Sequence, residues 1–217
     1  MHDLMNIKEL LAPHRLAARG LLHPEPSDPV PEGTATLVLV GHLGRAMWPA
    51  FERAGQAEPH PLDRWARRIL DDLATRLGAV ALYPFQGPPY LPFQRWAMRA
   101  EGLAQSPVGP LIHPVYGLWH GYRGALAFFQ RIEGPAVEAS DPCAACADKP
   151  CLSACPVAAL APGRYDVPAC VAHLRTLGNA CLTEGCLARH ACPVGRAHAY
   201  EPAQAGFHTK AFLKAMD

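Results

Sequence analysis

All eight cysteines of this 217-residue chain fall between positions 143 and 192, and the first four crowd into CAACADKPCLSACP, Cys143 to Pro156. Thiols this dense constrain the fold more than any hydrophobic pattern, because they must end as disulfides, metal ligands or reactive groups. Disulfides need an oxidising compartment. The N-terminal MHDLMNIKELLAPHRLAARG lacks the unbroken apolar core of an export signal and reads as a short amphipathic helix. Metal ligation is the reading that remains, since spaced thiols without metal would be a liability in a reducing compartment.

The spacing Cys143-x2-Cys146-x4-Cys151-x3-Cys155-Pro156 departs from the bacterial ferredoxin run C-x2-C-x2-C-x3-C-P only by two additional residues between the second and third thiols. In two-cluster ferredoxins the fourth, proline-flanked thiol serves the other cluster. A helix starting in LSACPVAAL would direct Cys155 away in this manner. Downstream, Cys170, Cys181, Cys186 and Cys192 form a second set, and Cys192-Pro193-Val194 echoes Cys155-Pro156-Val157. The pattern predicts two 4Fe-4S clusters with crossed ligands: Cys143, Cys146, Cys151 and Cys192 on one, Cys155, Cys170, Cys181 and Cys186 on the other. Two zinc ions with four thiolates each are the competing reading, because CxxC serves both chemistries. The x3-CP ending and the crossed prolines favour iron and sulfide. His173 and His190 lie among the ligands, but the thiol count is complete without them.

Half of the residues are hydrophobic, enough to bury a core, while the formal net charge is only +1 and no run of like charge occurs. This balance predicts no nucleic-acid partner. No segment approaches the roughly 20 apolar residues that span a bilayer, so the expectation is a cytoplasmic protein with no membrane partner.

The cysteine-free part reads as mixed α and β. TATLVLV (Thr34 to Val40) predicts a buried strand, with a turn at Gly41-His42-Leu43-Gly44 and a helix to about Arg53. PLDRWARRILDDLATRLG sets Leu62, Trp65, Ala66, Ile69, Leu70, Leu73 and Leu77 at helical spacing between Pro61 and Gly78. Its charges predict a solvated face with pairs such as Arg68 with Asp72. Further strands are expected at Ala79 to Tyr83 and within Gly121 to Ile132. Tyr83, Phe85, Tyr90, Phe93 and Trp96 either line a flat cofactor pocket or pack a loop against the core. His42, between glycines, reads as part of a tight connection rather than a ligand. The expected organisation is a core domain over 1–138, a two-cluster ferredoxin-like module over 139–200 and a C-terminal helix over 201–217.

The two-cluster segment resembles that of the corrinoid iron-sulfur reductases, epoxyqueuosine reductase and the reductive dehalogenases. YDVPACVAHL, around Cys170, is similar to their lone-cysteine helix, and HPVYGLWHGYRGAL (His113 to Leu126) is similar to a segment of the cobalamin-processing, decyanating chaperone. The resemblance covers about residues 60 to 195. It implies an α+β chain with a nitroreductase-like α/β sandwich core followed by a small dicluster ferredoxin-like module. It also implies that His113, Tyr116, Trp119 and Arg123 approach a cobalamin or, failing that, a flavin. The second thiol set departs from the reductases' Gly-Cys-x2-Cys-x3-Cys-Pro, the repeat domain with which epoxyqueuosine reductase holds tRNA has no counterpart here, and no residue matches that enzyme's catalytic acid. These departures argue against queuosine synthesis.

Two function classes follow. In the first, the clusters relay single electrons from an electron-donor protein to a corrinoid or flavin that acts on a small molecule or on the corrinoid itself. In the second, the protein is a ferredoxin-like carrier with no catalytic site of its own. About 130 residues of additional core exceed what a carrier requires, which favours the first.

Overall fold

The computed structural model describes residues 4–55 and 57–216, so the first three residues of the expected N-terminal helix lie outside it. In chain order the elements are α1 (Leu4–Leu11), β1 (Ala17–Leu22), β2 (Thr36–Leu43), α2 (Trp48–Arg53), α3 (Pro61–Leu77), β3 (Val80–Leu82), α4 (Phe93–Glu101), β4 (Ala104–Gln105), β5 (Leu111–Ile112) and β6 (His120–Phe128). Then come α5 (Pro150–Ser153), β7 (Leu160–Ala161), β8 (Arg164–Tyr165), α6 (Val167–Leu174), α7 (Ala180–Glu184), α8 (Leu187–Ala191) and α9 (Pro202–Lys214). The protein is α+β. It divides into two compact units, Met1–Gly102 with His120–Ala139, and Leu103–Trp119 with Ser140–Asp217. Among the described residues no helix is long and apolar enough to cross a membrane.

The first unit is built on an antiparallel sheet in the order β1-β2-β6-β3. β2 is buried along nearly its whole length, which is why its sequence shows an apolar run rather than alternation. α3 packs on β6 and β3 with the predicted stripe: Leu62, Trp65, Ala66, Ile69, Leu70, Leu73 and Leu77 are all buried, and Ala74 joins them. Each fully buried Leu or Ile contributes about 1.5–3 kcal/mol. Pro61 opens the helix and Gly78, in the left-handed region, closes it.

Three expectations are corrected here. The N-terminal helix stops at Leu11, and Ala17–Leu22 pairs with β2 as a strand. Gly41, His42 and Leu43 are not a turn; β2 runs on through them, paired with β6, with a register shift between Val40 and Gly41. Arg68 pairs with Glu58 at 2.5 Å rather than with Asp72, which takes Arg76 at 3.4 Å. Of the aromatics after β3, Phe93 and Trp96 lie on α4 and are core residues.

β1 escaped detection because Arg19 looks like a surface charge. Its side chain is 1% exposed: Nε and Nη2 donate to Glu101 Oε2 at 3.2 and 2.9 Å, and Nη1 donates to the His42 carbonyl at 3.1 Å. Tyr122 donates to the other Glu101 oxygen at 2.6 Å and lies under the guanidinium, 4.9 Å from ring centroid to Cζ. Burial pushes the Tyr122 hydroxyl far above its usual range, against the lowering effect of Arg19, so it remains a donor. The network joins β1, β2, β6 and the end of α4. Arg19→Met should therefore destabilise the protein by about 3–5 kcal/mol, because it leaves a buried carboxylate without its cation. Tyr122→Phe should cost only about 1 kcal/mol. Urea denaturation of the two variants checks the order.

Candidate metal centre

The thiols sit on short, locally capped pieces of chain. Asp141 accepts the backbone N–H groups of Cys143 and Ala144 at 3.0 and 3.1 Å, which turns the chain into the first CxxC. Lys149, with a φ of 39°, launches α5 so that Cys151 faces inward and is buried. α5 ends at Ser153, so Cys155 follows a helix instead of starting one, contrary to expectation. The Cys155 Sγ accepts the Ala159 N–H at 3.3 Å. Asp166 caps α6, which carries Cys170, and Asn179 caps α7, which carries Cys181. Cys186 and Cys192 bracket α8 at its two ends.

Cys143, Cys146, Cys151 and Cys192 line one small apolar hollow together with Pro107, Ile112 and Val194. Cys155 and Cys181 act electrostatically on Cys170, and Cys181 and Cys170 on Cys186. All eight cysteines are free thiols. Burial pushes the Cys143 thiol up to about 11, with Asp141, Cys192, Cys151 and Cys146 adding to the effect. Burial likewise raises Cys151, Cys170 and Cys186. Thiolates gathered in one set would repel one another, which favours the neutral thiol. Among the described residues, no three His, Cys, Asp or Glu side chains converge as ligands of a single ion would.

Cys192 reaches the first three thiols through a close backbone contact. The His113–Gly117 turn is closed by reciprocal hydrogen bonds of 2.9 and 2.8 Å. A Cβ on Gly117 would lie 2.0 Å from the Val194 carbonyl oxygen, and one on Gly195 would lie 2.3 Å from the Tyr116 carbonyl carbon. Both glycines also have positive φ, +57° and +73°. Arg189 reinforces the contact by donating from Nε to the Leu118 carbonyl at 3.1 Å and by covering the rings of Trp119 and Tyr200. Sequence reasoning passed over Gly117, Gly195 and Arg189, although HPVYG and CPVG already place glycines at the two points of contact.

His113, Tyr116 and Trp119 belong to this unit and Arg123 to the other. His113 Nδ1 accepts the N–H groups of Val115 and Tyr116 at 3.0 and 3.2 Å, shaping its own turn. The Tyr116 ring packs on His113 and on His198, with centroids 5.0 and 4.4 Å apart. Trp119 is buried against Tyr200 and His190, and its indole N–H has no acceptor among the described residues. Arg123, on β6, lies 3.8 Å from Asp63. Of the other aromatics, Tyr83 bonds to Asp71 and stacks on Phe85, Trp96 donates to Asp28 at 2.8 Å, and Tyr90 is exposed.

No family profile and no curated protein matches the sequence. Among solved structures, the chain is similar to epoxyqueuosine reductase crystallised with a tRNA-Tyr epoxyqueuosine-modified tRNA stem loop. The TM-score is 0.54 and the identity 15%, over 92% of this chain and 68% of that one. The fold is similar to that of epoxyqueuosine reductase. This likeness bears on the reductase part of the expected resemblance and not on the cobalamin-processing chaperone. It also overturns the exclusion of nucleic acid, because a structure of this fold was solved with a tRNA stem loop. A net charge of +1 summed over 217 residues does not describe the local field at any surface.

Gly117→Val and Gly195→Val should each displace Cys192 while leaving Cys155, Cys170, Cys181 and Cys186 in place. The expected readout is loss of about half of the bound iron if each thiol set holds one cubane, with the protein still folded by circular dichroism.

Proposed function

We propose that the protein is an iron-sulfur reductase holding two 4Fe-4S clusters, one on Cys143, Cys146, Cys151 and Cys192 and one on Cys155, Cys170, Cys181 and Cys186. The observation that carries this reading is the gathering of four free thiols from two distant stretches, 143–151 and 192, around a single apolar hollow. The clusters, when bound, supply one-electron transfer. The chain's residues bury Cys151, Cys181 and Cys192 and place a backbone N–H donor beside Cys155, that of Ala159.

An organic electron acceptor, a corrinoid or a flavin, completes the reading. Of its four candidate contacts Trp119 is the strongest, since a buried indole N–H without an acceptor is costly unless a ligand satisfies it. His113 and Tyr116 would act as a preformed turn beside it. Because epoxyqueuosine reductase was solved with a tRNA stem loop, a modified nucleoside in RNA is the first substrate to try. Eight free thiols fit a reducing cytoplasm.

Anaerobically purified protein should be brown and carry about eight iron and eight labile sulfide per chain. Cys192→Ala should damage the cluster held by Cys143, Cys146 and Cys151, and Cys155→Ala the one held by Cys170, Cys181 and Cys186. Electron paramagnetic resonance of the reduced variants distinguishes the two losses. Stoichiometric zinc without sulfide would refute the reading.

A further inference from the structure

The cysteine-rich unit holds a cleft of about 490 Å3, inside the roughly 300–1,000 Å3 range of small-ligand sites. Its walls come from the β4–β5 turn, the first cysteine loop, the start of α5 and the β7–β8 hairpin. Two of its residues connect it to the two thiol sets. Cys143 lines both the cleft and the apolar hollow of the first set, and Lys149 stands beside it in both. Tyr165 lines the cleft, and its side chain interacts with the Cys170 thiol of the second set.

The lining also sets the chemistry of an occupant. Lys149 has no carboxylate partner among the described residues, whereas the Asp141 carboxylate is engaged by two backbone N–H groups. Arg164 adds a second cation, shared with Asp166 at 3.2 Å. The lining thus carries two cations, Lys149 and Arg164, against the one carboxylate of Asp141, an excess of one positive charge that an anion would meet. Tyr165 together with Leu152 and Pro162 supplies apolar surface for a ring system.

We propose that this cleft binds a small planar two-electron carrier bearing a phosphate, of the flavin mononucleotide class, and divides its electron pair between the two clusters. The proposal rests on the reading of the thiols as cluster ligands. The carrier enters in its dihydro form and leaves oxidised, releasing two electrons and two protons. Each oxidised cluster gains one electron, one by way of Cys143 and the other by way of Tyr165 and Cys170. The protons pass to solvent, and no covalent bond to the protein forms. Lys149 and Arg164 hold the phosphate, and the Tyr165 ring packs against the planar system.

The test uses anaerobic protein loaded with iron and sulfide, with FMN, riboflavin and AMP as probes. FMN should bind with quenching of its fluorescence, and riboflavin, which lacks the phosphate, about tenfold more weakly, as expected for a lost charge-assisted contact. Lys149→Gln should weaken FMN by a similar factor. Because Lys149 lies two positions from Cys151, Arg164→Gln serves as a second variant, and iron is measured in both. One equivalent of photoreduced FMN should reduce both clusters, seen as two paramagnetic signals. Loaded protein that does not bind FMN overturns the proposal. So does AMP binding as tightly as FMN, FMN affinity unchanged in both variants, or reduction of one cluster alone. Protein without iron or sulfide defeats the cluster reading instead, and the metal assay separates that failure from failure of the cleft.

Discussion

The cysteine-rich unit depends on a contact in which no side chain takes part. Gly117 and Gly195 place their backbones where any Cβ would overlap the opposite chain, and both adopt positive φ. This approach carries Cys192 back to thiols that lie more than forty positions earlier. The neighbouring interactions depend on it in turn. His113 shapes the turn that presents Gly117, Arg189 ties α8 to the carbonyl of Leu118, and Trp119 packs against Tyr200 and His190. The aromatic and histidine-rich segment therefore has a structural task whatever else it contacts, which accounts for residues that sequence alone marks out as cofactor ligands.

The first unit handles its internal charge differently. Arg19 and Glu101 are buried as a pair whose remaining hydrogen-bonding capacity is met by Tyr122 and the His42 carbonyl. A satisfied buried pair is close to neutral in net stability but strongly penalises alternatives that break it. It therefore fixes the register of β1 against β2, where a hydrophobic pattern as short as Leu21 and Leu22 could not. The thiol sets are the opposite case. Burial and the neighbouring thiols raise the pKa values of Cys143 and Cys151. The Arg19–Glu101 pair is matched within its own unit, whereas the buried thiols are set against one another.

Legibility from sequence follows the same division. α3 and β2 were readable because their burial is set by local periodicity, and the α+β class followed from them. β1 was not, because the partner that makes Arg19 compatible with a strand is 82 residues away. The run of β2 through Gly41 and His42 was hidden for a related reason: its pairing partner, β6, lies about eighty residues downstream. The thiol spacing suggested two sets of four, yet it could not reveal the glycines at the Gly117–Gly195 contact or the short hairpin that carries Tyr165. The charge balance misled outright over nucleic acid, since a sum has no geometry.

The cysteine-rich unit also shows why a chain would invest so many thiols in so little regular structure. α5, α7 and α8 have four or five residues each and β7 and β8 have two, all well below the length at which an isolated helix holds itself together, about 12–15 residues. Its apolar core is small and includes Cys151 and Cys192 among its buried members, with Cys143, Cys155 and Cys186 packed against them. The groups that would bind metal are thus the same groups that fill the interior. In such a unit ligand binding and folding draw on one set of contacts. Small errors in thiol placement then cost stability and cofactor together, and backbone-level precision such as that of Gly117 against Gly195 becomes a requirement.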